Sequence, residues 1–389
     1  MSYGTWCGFR ACASAMLLLA VVVTARAEQG VTESEILIGT VADLSGPSSP
    51  IGVPMRQGVD MGTLLVNEKG GIHGRKLRVV FEDSAFDARR GILAMQKLLL
   101  QDKVFAFMGQ MGTAIVKATM PMAIEQGRPF LFPIALDPSY TTPPKRLVAT
   151  WIPDYAIQMG GAARWAIEGL GKKRVCSLYQ DGDSGDQSLE GINAVLKDKS
   201  LKLVESAGFK AGAPDLSSQV AKLKAADCDL VLVTAVARDG AVAIVERQKI
   251  GLKADFIMAQ ASTGASMLGL TGSAAEGVYG ISTSTPILQL QHLPLVVEFA
   301  TRYKQRYGRD MDEAAYGGYL QVLLFSEIAR RAGPNLTVDN FIQALETVKD
   351  LDLGVGSSRL TFTPAKRLGT TRMVVLQVKD GKWQGVGEY

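Results

Sequence analysis

Apolar strands alternate with amphipathic helices along most of the chain, and this alternation limits the fold more than any other feature. "ILIGTVADL" (36–44) reads as a strand, residues 55–67 carry apolar side chains at helical spacing, and "KLRVVFED" (76–83) reads as the next strand. A helix over 88–101, the strand "VFAFMG", a helix over 113–126 and the strand "PFLFP" follow. After a break at "WIPDY" the rhythm restarts: helix from Tyr155 to Leu170, strand "RVCSLYQD", helix 186–199, strand "LKLVESAGF", helix 215–226, strand "DLVLVTA", helix 238–250, then strands "DFIMA" and "GVYGIST". Strands spaced by helices of 10–15 residues indicate βαβ units and parallel sheets. Two runs of similar length indicate two similar α/β lobes.

The pattern then changes. Residues 292–307, 312–332 and 337–348 are three helical stretches, "RLTF" (359–362) reads as a short strand, and "TRMVVLQVKDGKW" reads as a hairpin turning at Asp380-Gly381. Such a tail cannot make a third parallel domain. It is expected to add helices and edge strands to the two lobes.

Composition removes several classes of function. A formal charge of +4 on 389 residues, without a Lys/Arg run interleaved with aromatics, leaves no nucleic-acid footprint. His73 and His292 lie far apart, and neither has Cys, His or Asp neighbours at metal-ligand spacing. No G-x-G-x-x-G follows the first strand, and neither a G-x-S-x-G elbow nor a P-loop is present. No enzyme, metal or cofactor is expected.

Residues 1–27 read as a signal peptide. Arg10 precedes an apolar run from Ala13 to Val23, which ends in Ala25-Arg26-Ala27, and cleavage is expected after Ala27. The run is shorter than the ~20 residues that span a bilayer. The expectation is an exported, periplasmic, soluble protein. Cys7 and Cys12 would leave with the signal. Cys176 and Cys228 remain in a compartment that permits a bridge, but a lone pair defines no framework, and two buried thiols are the preferred reading.

In "NEKGGIHGRKL" (67–77) the helix is expected to end near Lys69, with Gly70 in the left-handed C-cap, Gly71 extending the turn and Gly74 allowing a second bend. After "VFAFMG", Gln110-Met111-Gly112-Thr113-Ala114 opens a helix, whose free N–H groups and hydroxyl suit a carboxylate. Thr113 reads equally well as an ordinary N-cap.

The signatures S-G-P…G (45–52), N-x-K-G-G-I-x-G-R-x-L and "EDSAFDARRGILAMQKLL", in that order, resemble the type I periplasmic solute-binding proteins of ABC importers, specifically the branched-chain amino acid (leucine/isoleucine/valine) family. The resemblance runs from about Ile36 to the C-terminus. It implies a Venus-flytrap, two doubly wound parallel-sheet lobes joined by three crossovers with a ligand cleft between them. Lobe one would comprise 35–153 plus 286–357, and lobe two 154–285 plus 358–389. The glycine turn would be a rigid joint beside the cleft.

The same resemblance implies the site. Gln110, Gly112, Thr113 and Ala114 would grip a ligand carboxylate. Ile134, Ala135 and Leu136 match a segment that in the amino-acid binders supplies backbone groups and a hydroxyl, here without the hydroxyl. Gln260 matches the acid that pairs with a ligand ammonium. Val236 or Ala237, and Ser184, match cleft aromatics. Tyr155 would line the cleft, Trp151 is expected to pack in the core, and Asp181 and Arg238 are expected at the surface. A buried ammonium needs a carboxylate partner, and Gln260 is neutral. The expected solute is therefore a small carboxylate, with an aromatic body among the options, ahead of neutral or branched-chain amino acids and then amides. Partners would be the ABC permease and ATPase subunits, with the protein itself a monomer. Delivery of ligand to a separate sensor protein is the competing role.

Overall fold

The computed structural model describes residues 1–4 and 28–389. The signal-peptide reading, apart from those first residues, lies outside the described part.

Two open sheets form. The first is five-stranded, in the order β2-β1-β3-β4-β5, and is built from β1 (Glu35–Ala42), β2 (Lys76–Asp83), β3 (Ala106–Met108), β4 (Phe130–Leu131) and β5 (Val148–Ala149). All its pairings are parallel, with Glu35 opposite Lys76 and Phe107 opposite Phe130. The connecting helices are α1 (Ser49–Glu68), α2 (Ala88–Leu100) and α3 (Thr113–Glu125). β1 is buried on both faces: Ile36 and Ile38 enter one core cluster, Leu37 and Val41 the other. This is why the strand reads as an unbroken apolar run.

The chain then crosses to lobe two. It builds α4 (Tyr155–Leu170), β6 (Val175–Gln180), α5 (Asp183–Asp198), β7 (Glu205–Phe209), α6 (Ser217–Ala225), β8 (Leu230–Thr234), α7 (Ala237–Lys249), β9 (Asp255–Met258), α8 (Ala265–Thr271) and β10 (Tyr279–Ser282). It returns as α9 (Pro294–Tyr307), α10 (Glu313–Arg331) and α11 (Val338–Glu346), whose Phe299, Phe325 and Phe341 share a core cluster with Ile36 of β1 and with Phe105 just before β3. It crosses again to end as β11 (Val374–Lys379) and β12 (Lys382–Glu388). The second sheet runs β12-β11-β10-β9-β8-β6-β7. Its last two strands are antiparallel, and Asp380 and Gly381 both take positive φ in the expected hairpin turn.

Three sequence readings need correction. "RLTF" forms no ladder beyond a single bridge between Leu351 and Leu360. Leu360 and Phe362 are instead buried in the core of lobe one, and Thr150 exchanges backbone hydrogen bonds with Arg367 and Gly369. Residues 358–370 therefore run with lobe one, and the last crossing falls just before Met373, which packs in lobe two.

The glycine turn does not lie beside the cleft. α1 begins at the carboxyl end of β1, so the turn after it sits at the opposite edge of the sheet, where β2 starts. Gly71 has φ +72, and a Cβ there would stand 2.1 Å from the Arg75 carbonyl oxygen. The turn ties down the end of α10: His73 Nε2 lies 2.9 Å from the Arg330 carbonyl oxygen, and Arg75 donates to Pro334 O at 2.8 Å.

The two cysteines are not free thiols. Cys176 on β6 and Cys228, just before β8, form a disulfide with Cα atoms 6.0 Å apart. Sequence spacing could not show that β6 and β8 are neighbours.

Candidate functional site

Both sheets share one winding. Lobe one has order 2-1-3-4-5, and the parallel strands of lobe two, β7-β6-β8-β9-β10, repeat it. Open α/β sheets bind ligands outside the carboxyl ends of their strands, where the winding reverses. In lobe one the reversal lies between β1 and β3, and in lobe two between β6 and β8. The loops after these strands carry Gln110–Ala114 in one lobe and Ser184, Val236 and Ala237 in the other.

The loop after β3 delivers an open helix start. Gly112, the N-cap of α3, has φ +96 and makes no side-chain cap, so the first amides of α3 have no partner inside the helix. Thr113 is half-buried and Ala114 exposed. The Thr113 hydroxyl makes no hydrogen bond within the described residues, while its carbonyl accepts from the Tyr140 hydroxyl at 3.3 Å. Open amides and a free hydroxyl at the positive end of a helix dipole suit an anionic oxygen.

Other candidates are already engaged. Gln110 is fully buried and donates from Nε2 to Gly39 O, leaving Oε1 without a partner. Ile134 spends both backbone groups on the loop after β3: its amide donates to Gln110 O at 2.8 Å, and its carbonyl accepts from Gly112 N at 3.2 Å. Ile134 thus positions the loop: its amide is spent, and only the second lone pair of its carbonyl is left for a ligand. Ala135 is buried and Leu136 half-buried behind it.

In lobe two, Gln260 follows β9. Its Nε2 lies 3.2 Å from Thr283 Oγ1, its backbone amide donates to Gln158 Oε1, and its own Oε1 is buried without a partner. Tyr155 opens α4 beside the Asp154 cap and packs against the lobe-two core, where desolvation pushes its hydroxyl up to about 12. Ser184 sits half-buried in the first turn of α5, Val236 is exposed at the N-cap of α7, and Ala237 follows it half-buried. Trp151 stacks on Phe132 at 5.2 Å in the core, as expected. Asp181 is exposed, and Arg238 turns to Gly212 O.

The lobes meet at these loops. Lys117, one turn beyond Thr113 on α3, lies 2.7 Å from Asp137 of its own lobe and 3.0 Å from Asp183 at the start of α5 in the other. Glu313, the first residue of α10, faces Gly264 after β9: its Oε2 stands 4.0 Å from where a Cβ on that glycine would be. Glu313 makes no ion pair among the described residues, and desolvation raises its pKa.

Sequence reasoning passed over Glu313 and Phe86. Phe86 lies in the loop after β2, 46% exposed, with its Cε2 3.0 Å from the position of a Cβ on Gly112. Its stretch "EDSAFDARR" carries the family resemblance but no sign that the ring is exposed. Among the described residues no cluster of His, Cys, Asp and Glu could hold a metal ion, and no helix is long and apolar enough to cross a membrane.

Residues 35–382 match the family described as "Periplasmic binding protein". The chain belongs to that family. The Leu/Ile/Val-binding protein of Escherichia coli (strain K12) is 23% identical over 244 residues, covering 63% of this chain and 66% of that relative's length. The Leu/Ile/Val-binding protein homolog 2 of Brucella abortus (strain 2308) is 23% identical over 308 residues, 79% of this chain and 81% of the relative. Among solved structures, the fatty acid ABC transporter substrate-binding protein from Thermomonospora curvata superposes with a TM-score of 0.79 at 21% identity, covering 94% of this chain and 93% of that one. The type I periplasmic binding fold, two parallel-sheet α/β lobes, is thus shared over nearly the whole chain. Members of this family bind solutes rather than transform them.

Proposed function

We propose that this periplasmic binding protein is the exported solute-binding component of an ABC importer, and that it captures a small carboxylate between its lobes for delivery to a membrane permease. The open start of α3 carries this reading. It presents unpartnered amides and the Thr113 hydroxyl at the reversal point of lobe one, opposite the start of α5. The relatives' names agree in chemistry, since branched-chain amino acids and fatty acids both carry a carboxylate. A disulfide in the second lobe suits an oxidising compartment.

The ligand bridges the lobes, and contacts made only in the closed state shift the population toward it. Thr113 and the amides of α3 hold the carboxylate. Gln260 offers a neutral acceptor from lobe two, to a hydroxyl or amide hydrogen. With no charge at Gln260, an α-ammonium there would be unbalanced, and an uncompensated buried charge costs several kcal/mol.

A neutral amino acid is the second reading, and one observation favours it. Glu313 carries a carboxylate without an ion pair to the face of lobe two at Gly264. A thermal-shift panel of branched-chain amino acids, their deaminated acids, aromatic acids, dicarboxylates and short amides separates the two. Ligand binding to the folded state alone stabilises by about 4 kcal/mol at a thousandfold excess over Kd. Shifts with deaminated or aromatic acids and none with amino acids support the carboxylate reading. Shifts with leucine or valine that vanish in Glu313→Gln replace it with the second.

A further inference from the structure

Phe86 is a large apolar side chain left half in solvent, on a backbone that disfavours it. Ala85 has φ +44 and Phe86 φ +59. Two consecutive non-glycine residues in the left-handed region are uncommon, and a bulky residue there is an outlier. A single exposed phenylalanine needs no explanation by itself. An exposed one that the surrounding loop holds in a strained conformation does.

The hold is extensive. The Asp83 carboxylate accepts from Leu44 N and Ala85 N at 2.9 Å each through Oδ1. Through Oδ2 it accepts from Ser45 Oγ at 2.5 Å and Arg90 Nη2 at 3.2 Å. It thereby fastens the loop after β1 to the loop after β2. On the other side of the strain, Phe86 N donates to Ser84 Oγ at 3.3 Å, Ser84 Oγ donates to Ala42 O at 3.1 Å, and Asp87 caps α2 through Arg90 N at 2.8 Å. The ring is laid against Gly112, the residue that opens α3. A Cβ at 112 would press on ring atom Cε2 at 3.0 Å, so the glycine takes φ +96 and leaves the ring room to lie close.

We infer that Phe86 is a specificity-determining residue of the cleft, an aromatic wall beside the carboxylate receptor, and that the solute is a carboxylate with a flat aromatic body. This rests on the carboxylate reading above and narrows it. The carboxylate meets the amides of Thr113 and Ala114, and the ring of the solute lies along the exposed part of Phe86. Aromatic pairs gain beyond the area they bury, whereas a saturated ring gains only the area. Asp83 acts through the loop and is a positioning residue.

The test is calorimetric titration of the full protein and of Phe86→Ala, Phe86→Leu, Phe86→Tyr and Phe86→Gly. The probes are benzoate and phenylacetate, each against its cyclohexyl counterpart. The wild type should bind the aromatic acid more tightly, and Phe86→Ala and Phe86→Leu should reduce that preference by about two- to tenfold, the range for an aromatic pair. Phe86→Tyr should keep it. Phe86→Gly, which suits the left-handed backbone, keeps the fold intact and should still lose the preference. Equal loss for aromatic and saturated acids, or a wild type that binds the saturated acids as well, overturns the inference while the carboxylate reading stands. If the wild type binds none of these four acids, this inference falls, and the carboxylate reading falls with it only when the wider acid panel above also gives no shift.

Discussion

Single residues decide how the loops around the cleft are held. Desolvation raises the pKa of Asp83, but hydrogen bonds from Ser45, Leu44 and Ala85 and the charge of Arg90 outweigh it and pull the value down to about 2. A carboxylate whose folded pKa is depressed stabilises the fold above its unfolded value and loses that contribution as pH falls through the folded one. The wild type should therefore lose stability between about pH 4 and pH 2 from this group, by about 1 kcal/mol after solvent screening. Asp83→Asn should already lack that stability at pH 7 and show a flatter profile in the same window, as read by thermal unfolding against pH. Arg367 makes a different case. It is 2% exposed, pairs with Glu346 at 2.5 Å, and leaves Nε and Nη1 without partners. Removing the acid strands a buried charge, so Glu346→Ala should cost about 3 kcal/mol in denaturant unfolding. Thr113 could be picked out from the sequence because it opens a helix directly after an apolar strand, and Gln260 only through the resemblance to the family. Phe86 and Glu313 could not be, since a positive φ and an approach between lobes are properties of the folded chain. The backbone bonds of Ile134 were hidden for the same reason: they go to a loop more than twenty residues away.

At the scale of elements, the contact between α3 and α5 is the part of the cleft that is already closed. Lys117 joins Asp137 and, across the lobes, Asp183. Exposed pairs contribute about 0.2–1 kcal/mol, so Asp183→Asn should weaken ligand binding by about two- to fivefold. It should also flatten the salt dependence of Kd, both read by titration at low and high salt. Within lobe two the disulfide closes a loop of 52 residues. The chain-entropy relation gives about 4 kcal/mol as an upper value for such a loop. Cys176→Ser/Cys228→Ser should lower the unfolding midpoint accordingly without changing the ligand preference. Long periodic elements were legible: α4 lies where the spacing put it, and α10 and α11 differ by a residue or two at their ends. The misses have physical causes. α1 starts at Ser49, six residues earlier than its apolar spacing suggests: Pro50 sits in its first turn, where a missing amide costs nothing, and Pro54 is carried inside the helix. β5 has two residues, too few to show a period, and α8 has seven. "RLTF" has strand composition, but its apolar residues are used as plugs in the core of lobe one.

The whole molecule is two copies of one winding, with the chain crossing between them, so that neither lobe is continuous in sequence. The alternation of strands and helices carried the fold class, and the change of pattern after residue 290 carried the discontinuity. The placement of the last crossing was out of reach, because the burial of Leu360 and Phe362 depends on a partner surface made by α10 and α11. Crossovers of this kind make relative motion of the lobes the natural response to a ligand that touches both. The central claim is that a small carboxylate closes the cleft, and the most direct measurement is small-angle X-ray scattering of the protein with and without the carboxylate that gives the largest thermal shift. The account predicts a smaller radius of gyration at saturation, and no such change when Thr113→Val abolishes binding. An unchanged radius in a sample that calorimetry shows to be saturated would place the ligand outside the cleft and contradict the account.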